Sequence, residues 1–200
     1  SAAAGKDIGV VIKEAQILNY GNDSYGALSG RDLMAMALGI AQSLDQDSLE
    51  HDAAQASSLA SKLVAGGVKG IVPSAYAVFI DIDAFFDGGA DPEDFMGVGL
   101  VIELIRLYGV RVSEMGPHTF CSPGESPRER RTPNYVRIAI PHGAYAEDHL
   151  AYCSAAIIEL YKNRHHLPAV RVRQVAPKQR LSHFQSGLEP VYPASGKLLE

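Results

Sequence analysis

Residues able to act as nucleophile, metal ligand or proton carrier are few and dispersed. Seven histidines and two cysteines, Cys121 and Cys153, are spread along 200 residues. No pairing of His, Cys or carboxylate has the spacing of a metal cage. His165-His166 falls just past a predicted helix end, where a cation suits the helix dipole. Gly97-Val98-Gly99 lies inside a predicted helix and follows no strand, which rules out a dinucleotide loop. A Walker A loop, an HExxH pair, CxxC pairs and a serine nucleophile elbow are missing from the sequence. The segment 116–133 stands apart, with Pro117, Pro123, Pro127 and Pro133 together with Arg128, Arg130 and Arg131. A loop of that length is functional or mobile.

The elements that must position these groups follow from periodicity. Asp7 is a good N-cap, and Ile8, Val11, Ile12 and Ala15 recur at helical spacing, so a helix is expected over 8–15 and a brief extended stretch over 16–19. Residues 21–30 read as a loop, and Leu33, Met36, Ala37 and Ile40 continue into a helix ending near Leu44. Asp47 is the expected cap of the next helix, which carries Ala53, Ala56, Leu59 and Leu63 and stops at Gly66-Gly67. These two helices are expected to form a hairpin arm. Strands are expected over 69–72 and 77–82, and Asp91-Pro92-Glu93 opens an apolar helix that Gly109 stops. Further strands follow over 110–114 and 135–140, then a helix over 146–163 and a strand over 170–175. Helices covering one face of a small, mostly antiparallel sheet make the expected class α+β.

Composition bounds the function classes. A net charge of -5, from 18 basic and 23 acidic residues, gives no reason to expect nucleic acid as a partner. No apolar run approaches the roughly 20 residues needed to cross a bilayer, and the start SAAAGKD lacks the apolar core of a signal peptide. A soluble cytoplasmic protein without membrane association is the expectation, and two distant cysteines suit a reducing compartment.

Several segments in register say more. Ser24-Tyr25-Gly26-Ala27-Leu28-Ser29-Gly30-Arg31-Asp32, followed by Met34-Ala35-Met36-Ala37-Leu38-Gly39, resembles the loop and helix of the pyridoxal-phosphate β-eliminating lyases, tryptophanase and tyrosine phenol-lyase. Ala77-Val78-Phe79-Ile80-Asp81, Gly109-Val110-Arg111, Glu114, Gly116, Val136-Arg137-Ile138-Ala139-Ile140-Pro141, Tyr145 and His149 recur in the same order, and Pro177-Lys178 and His183-Phe184 complete the match. The resemblance covers nearly the whole chain. It implies the C-terminal part of a fold-type I, aminotransferase-like enzyme: residues 1–66 as the end of the cofactor domain with a connecting helical arm, and 67–200 as the small α+β domain.

The same resemblance implies roles. Arg137 occupies the position whose arginine holds the substrate α-carboxylate, and a planar guanidinium gives a bidentate grip that lysine cannot. Read without the family, it is a strand arginine paired with a surface acid. Met115 stands where the family faces the substrate ring, with an arginine in tyrosine phenol-lyase and an apolar residue in tryptophanase. His183 before Phe184 likewise matches tryptophanase, and Tyr25 matches a tyrosine at the active-site edge. Core packing for Met115, a surface position for His183 and loop packing for Tyr25 are the alternatives. Tyr76 replaces a family histidine, the segment beyond Gly116 differs in composition, and the spacing from Lys178 to His183 differs by one residue.

The resemblance also implies what lies elsewhere. Lys6 is the single lysine near the start, but the ungapped match from Lys13-Glu14 through Ser24-Tyr25 places it well past the family's cofactor-bearing lysine. With the pyridinium acid and phosphate cup also N-terminal in the family, pyridoxal phosphate is expected mainly on a second polypeptide, together with the family's monovalent cation. The expected activity is β-elimination of an aromatic amino acid, tryptophan to indole, pyruvate and ammonia, by an oligomeric split or cleaved enzyme. A related lyase acting on tyrosine or a cysteine conjugate, and a non-catalytic binding or scaffolding subunit, remain the rivals.

Overall fold

The computed structural model describes residues 7–22, 25–121, 125–130, 132–174, 182–196 and 198. Two compact units divide the chain between Leu49 and Glu50.

In the first unit, helix α1 (Ile8–Tyr20) starts where the Asp7 carboxylate accepts the Gly9 N–H. It runs through the stretch 16–19 expected to be extended. The stop comes only at Gly21, whose φ of 103° suits glycine and whose N–H donates to the Ile17 carbonyl. Gly21–Asn22 (β1) pairs with Tyr25–Gly26 (β2), and Ser29 then caps α2 (Gly30–Gln42) by accepting the Asp32 N–H. Neither helix buries a residue. Ile8, Ile12, Leu18, Met34, Leu38 and Ile40 are each more than 60% exposed. Water therefore meets apolar side chains of a density more usual at an interface than on a free surface.

Helix α3 (Gln46–Ala65) is capped by Asp45, which accepts the Ser48 N–H, and not by Asp47, which lies inside the first turn. In the second unit it contributes Ala56, Leu59, Ala60 and Leu63 to the core. Four antiparallel strands follow: β3 (Ile71–Pro73), β4 (Ala77–Asp81), β5 (Ser113–Met115) and β6 (Tyr135–Ala139), in the order β3-β4-β6-β5. Their alternation decides the layers. Val78 and Ile80 on β4 and Val136 and Ile138 on β6 point into one core with α3, α5 (Met96–Tyr108) and α8 (Glu147–Lys162). That is the expected helix-covered antiparallel sheet. Among the described residues no helix is long and apolar enough to cross a membrane.

Three expectations shift. Asp91-Pro92-Glu93 caps only a single 3-10 turn, Pro92–Asp94, because Phe95 takes a left-handed conformation with φ 47° and α5 starts anew at Met96. Gly109, with φ 64°, ends α5 as expected. Two short helices, α6 (Pro117–Phe120) and α7 (Pro127–Arg130), lie within the Pro/Arg-rich segment 116–133, and another, α4 (Ile82–Phe85), follows β4. That segment is tied to the 3-10 turn by Arg128 on Asp91 at 2.5 Å and by Ser126 donating to Glu93 at 2.6 Å. Finally, β7 (Ala169–Gln174), the strand expected over 170–175, lies outside the four-stranded sheet. It pairs with β8 (Gly187–Val191), with a bulge between Val172 and Gln174.

Candidate functional site

The sheet face turned away from the helices carries the residues of interest. Directly opposed residues of antiparallel strands share a face. Arg137 is opposite Phe79 on β4 and Ser113 on β5, and the next row toward one end holds Tyr135 between Asp81 and Met115. Arg137 and Met115 thus lie on one face of adjacent strands, two residues apart in register. Tyr135 packs edge-on to Phe79 at 6.2 Å, so rings flank the arginine.

Arg137 is half-buried, and its Nε is enclosed without any hydrogen-bond partner. Among the described residues no carboxylate forms an ion pair with it. The ion pairs of Arg106, Arg128, Arg164, Arg171 and Arg173 show what ordinary structural arginines do in this chain. A buried guanidinium nitrogen with no partner costs about 1–3 kcal/mol. Ordered water or a ligand completes such groups in folded proteins.

His183 and Phe184 sit in a 3-10 turn, Ser182–Phe184, with their rings 4.2 Å apart. The turn meets α6, which starts two residues after Met115. His118 Nε2 lies 3.3 Å from the His183 carbonyl, and the two rings are perpendicular at 6.4 Å. On its other side His118 packs edge-on to Phe95 at 5.9 Å. His118 was invisible in sequence because it belongs to no motif and gains its neighbours only through residues 23 positions before it and 65 after it. Its helix is held by Glu114, whose carboxylate accepts the N–H groups of His118 and Thr119.

Tyr25 lies in β2 of the first unit, paired through its backbone with Asn22. Lys6 falls outside the described residues. Tyr76 is exposed just before β4, where its carbonyl accepts the Ile140 N–H. Neither Cys121 nor Cys153 is in a disulfide, and burial pushes the Cys153 thiol up to about 11, which keeps it protonated. Among the described residues no group of three or more His, Cys, Asp or Glu could hold a metal ion.

A cofactor carried on a lysine needs that lysine at a pocket wall. A cavity of about 400 Å³ opens beside Arg111 and His149, and a shallower one lies beside His51 and Ser58. Neither is lined by a lysine. Lys62 is committed to Glu147 and Ser58, and Lys69 to Asp87. Neither of these two cavities therefore offers a lysine to a pyridoxal-type cofactor.

No protein-family model matches the chain. Individual relatives do. Tyrosine phenol-lyase of Pasteurella multocida is 34% identical over 182 residues, 88% of this chain and 38% of that protein. Tyrosine phenol-lyase of Lacrimispora saccharolytica is 33% identical over 156 residues, 76% of this chain and 33% of that protein. Tryptophanase of Hyphomonas neptunium is 30% identical over 173 residues, 84% of this chain and 37% of that protein. Over the stretch these proteins share, the chain belongs to the β-eliminating lyase family. It spans little more than a third of the length of the curated relatives it matches.

Proposed function

We propose that this chain forms the substrate-carboxylate side of a β-eliminating lyase acting on an aromatic amino acid. The observation that carries the reading is the partnerless Nε of Arg137 on the open sheet face. On this reading its guanidinium grips the α-carboxylate in bidentate fashion and fixes the amino acid's orientation. Met115, Tyr135 and Phe79 on the same face wall the ring and exclude water.

Pyridoxal phosphate, which the relatives' names imply, and the lysine that bears it belong on this reading to a second polypeptide, as does any monovalent cation. The support is twofold: no lysine lines the described cavities, and α1 and α2 expose Ile8, Leu18, Met34 and Ile40 to an extent that a covering chain would relieve. Native mass spectrometry of the purified protein after borohydride reduction is the test. A co-purifying chain bearing a reduced pyridoxyl-lysine is expected. A label on Lys6 of this chain would overturn the division of labour.

Tryptophan is the substrate we favour, because Met115 is an apolar, adaptable thioether with no hydrogen bond to offer a phenolic oxygen. Tyrosine is kept as the second reading because relatives of both names match, the tyrosine phenol-lyases at 33% and 34% identity and the tryptophanase at 30%. Met115→Arg in the complete assembly is expected to raise the ratio of tyrosine to tryptophan turnover by roughly tenfold, one charged hydrogen bond being involved. Release of phenol but not indole by the unsubstituted assembly would instead establish the tyrosine reading. S-substituted cysteines belong in the same assay.

A further inference from the structure

The cavity beside Arg111 is a second candidate site in this unit, and its lining includes neither Arg137 nor Met115. Its floor is apolar: Leu59 from α3, Val110 after α5, Ile138 on β6, Ile140 just beyond it, and Leu150 from α8. Tyrosine rings of Tyr108, Tyr145 and Tyr152 form the walls. About 400 Å³ is within the range of sites that enclose small molecules.

Polar groups are placed at the rim. The Ala146 N–H donates to His149 Nδ1 at 3.1 Å. The neutral ring therefore carries its proton on Nε2, which remains a donor. Tyr145 lies against that ring at 5.6 Å and is itself fixed by the Gln55 side chain donating to its carbonyl at 2.7 Å. Burial holds the Tyr108 hydroxyl above its ordinary range, so it stays protonated. Arg111 and Asp148, both exposed to solvent at the rim, line the same cavity, and neither forms an ion pair with a described residue. An unpaired guanidinium and an unpaired carboxylate over an apolar, ring-walled floor match one chemical class: a zwitterion bearing a planar apolar side chain.

We propose that this cavity is a binding site for a free aromatic amino acid, with its carboxylate on Arg111, its ammonium toward Asp148 and its ring among the tyrosines. The inference does not rest on the lyase reading, since it concerns different residues. The Arg111 guanidinium, the Asp148 carboxylate and the His149 donor set the orientation, while the apolar lining supplies the affinity.

The test is titration of the 15N-labelled 200-residue chain, followed by NMR and calorimetry, with L-phenylalanine, 3-phenylpropionate and phenethylamine. Saturable binding of L-phenylalanine is expected, with shifts at Val110, Arg111, Ile140 and His149 and none at Met115. Losing the ammonium or the carboxylate should each weaken binding by roughly tenfold. Arg111→Gln should remove the preference for L-phenylalanine over phenethylamine. Cys153→Phe, which fills the cavity instead of altering its charge, should abolish binding of all three. No saturation below about 10 mM, unchanged affinity in Arg111→Gln, or shifts centred on Met115 and Arg137 would each overturn the proposal.

Discussion

Arg137→Lys in the complete assembly lowers kcat/KM for the aromatic amino acid by roughly 10²-fold to 10³-fold, the equivalent of about 2–4 kcal/mol for the loss of a bidentate charged pair. Lysine keeps the charge but not the fork, so the expected loss isolates geometry from net electrostatics. The same position makes an independent stability prediction. The buried Arg137 Nε has no partner, so the free chain gains nothing from that nitrogen and bears its desolvation. Arg137→Met, similar in length and apolar, is therefore expected to leave the melting temperature of the isolated chain unchanged or raised while activity of the assembly collapses. A structural arginine would do the opposite. For comparison, Arg106 holds Glu103, which is 1% exposed, through two nitrogens, and its replacement strands a buried carboxylate. If Arg137→Ala leaves kcat/KM unchanged, the non-catalytic scaffold reading wins.

How much of this was legible beforehand depended on whether a signal was local. The core strands β4 and β6 and helices α5 and α8 were readable because Val78, Ile80, Val136 and Ile138 alternate and because Gly109 is a stop with a mechanism. Where two local signals competed, the reading failed. Ile17 and Leu18 look extended in isolation, yet α1 continues through them because nothing before Gly21 ends it. β8 was missed because Gly187 and Pro190 argue against a strand, although a two-stranded edge tolerates proline opposite Val170. Arg137 could be placed on a strand from sequence but not assigned between a ligand's carboxylate and a surface acid. Only the tertiary structure removes the acid, and only tertiary structure could gather His118, His183 and Phe95 or surround Arg111 with three tyrosines.

The largest stability effect expected of a single methyl group falls in Gly97-Val98-Gly99, the pair of glycines that had no nucleotide to explain it. A Cβ on Gly99 would lie 2.0 Å from the carbonyl oxygen of Pro168, the residue that leads into β7. That oxygen is backbone, so α5 and β7 must part by more than an ångström before the methyl fits. The movement would disturb Leu100 and Leu104, both fully buried in the core. Helix propensity alone favours alanine by about 1 kcal/mol, but overpacking against an unyielding backbone costs about 1–3 kcal/mol or more. Gly99→Ala is accordingly expected to lose roughly 2 kcal/mol in urea denaturation, whereas Gly97→Ala, whose nearest neighbours are the Glu114 and Ile82 side chains at 3.4 Å, should lose little. Gly39→Ala in α2, with nothing within 4 Å, should gain helix content by propensity alone. Equal destabilisation by Gly97→Ala and Gly99→Ala would contradict the close approach of α5 to Pro168. The unequal losses expected for one chemical change at Gly97 and Gly99 make the motif a packing device: a helix thinned on one side so that the strand pair β7–β8 can lie against it.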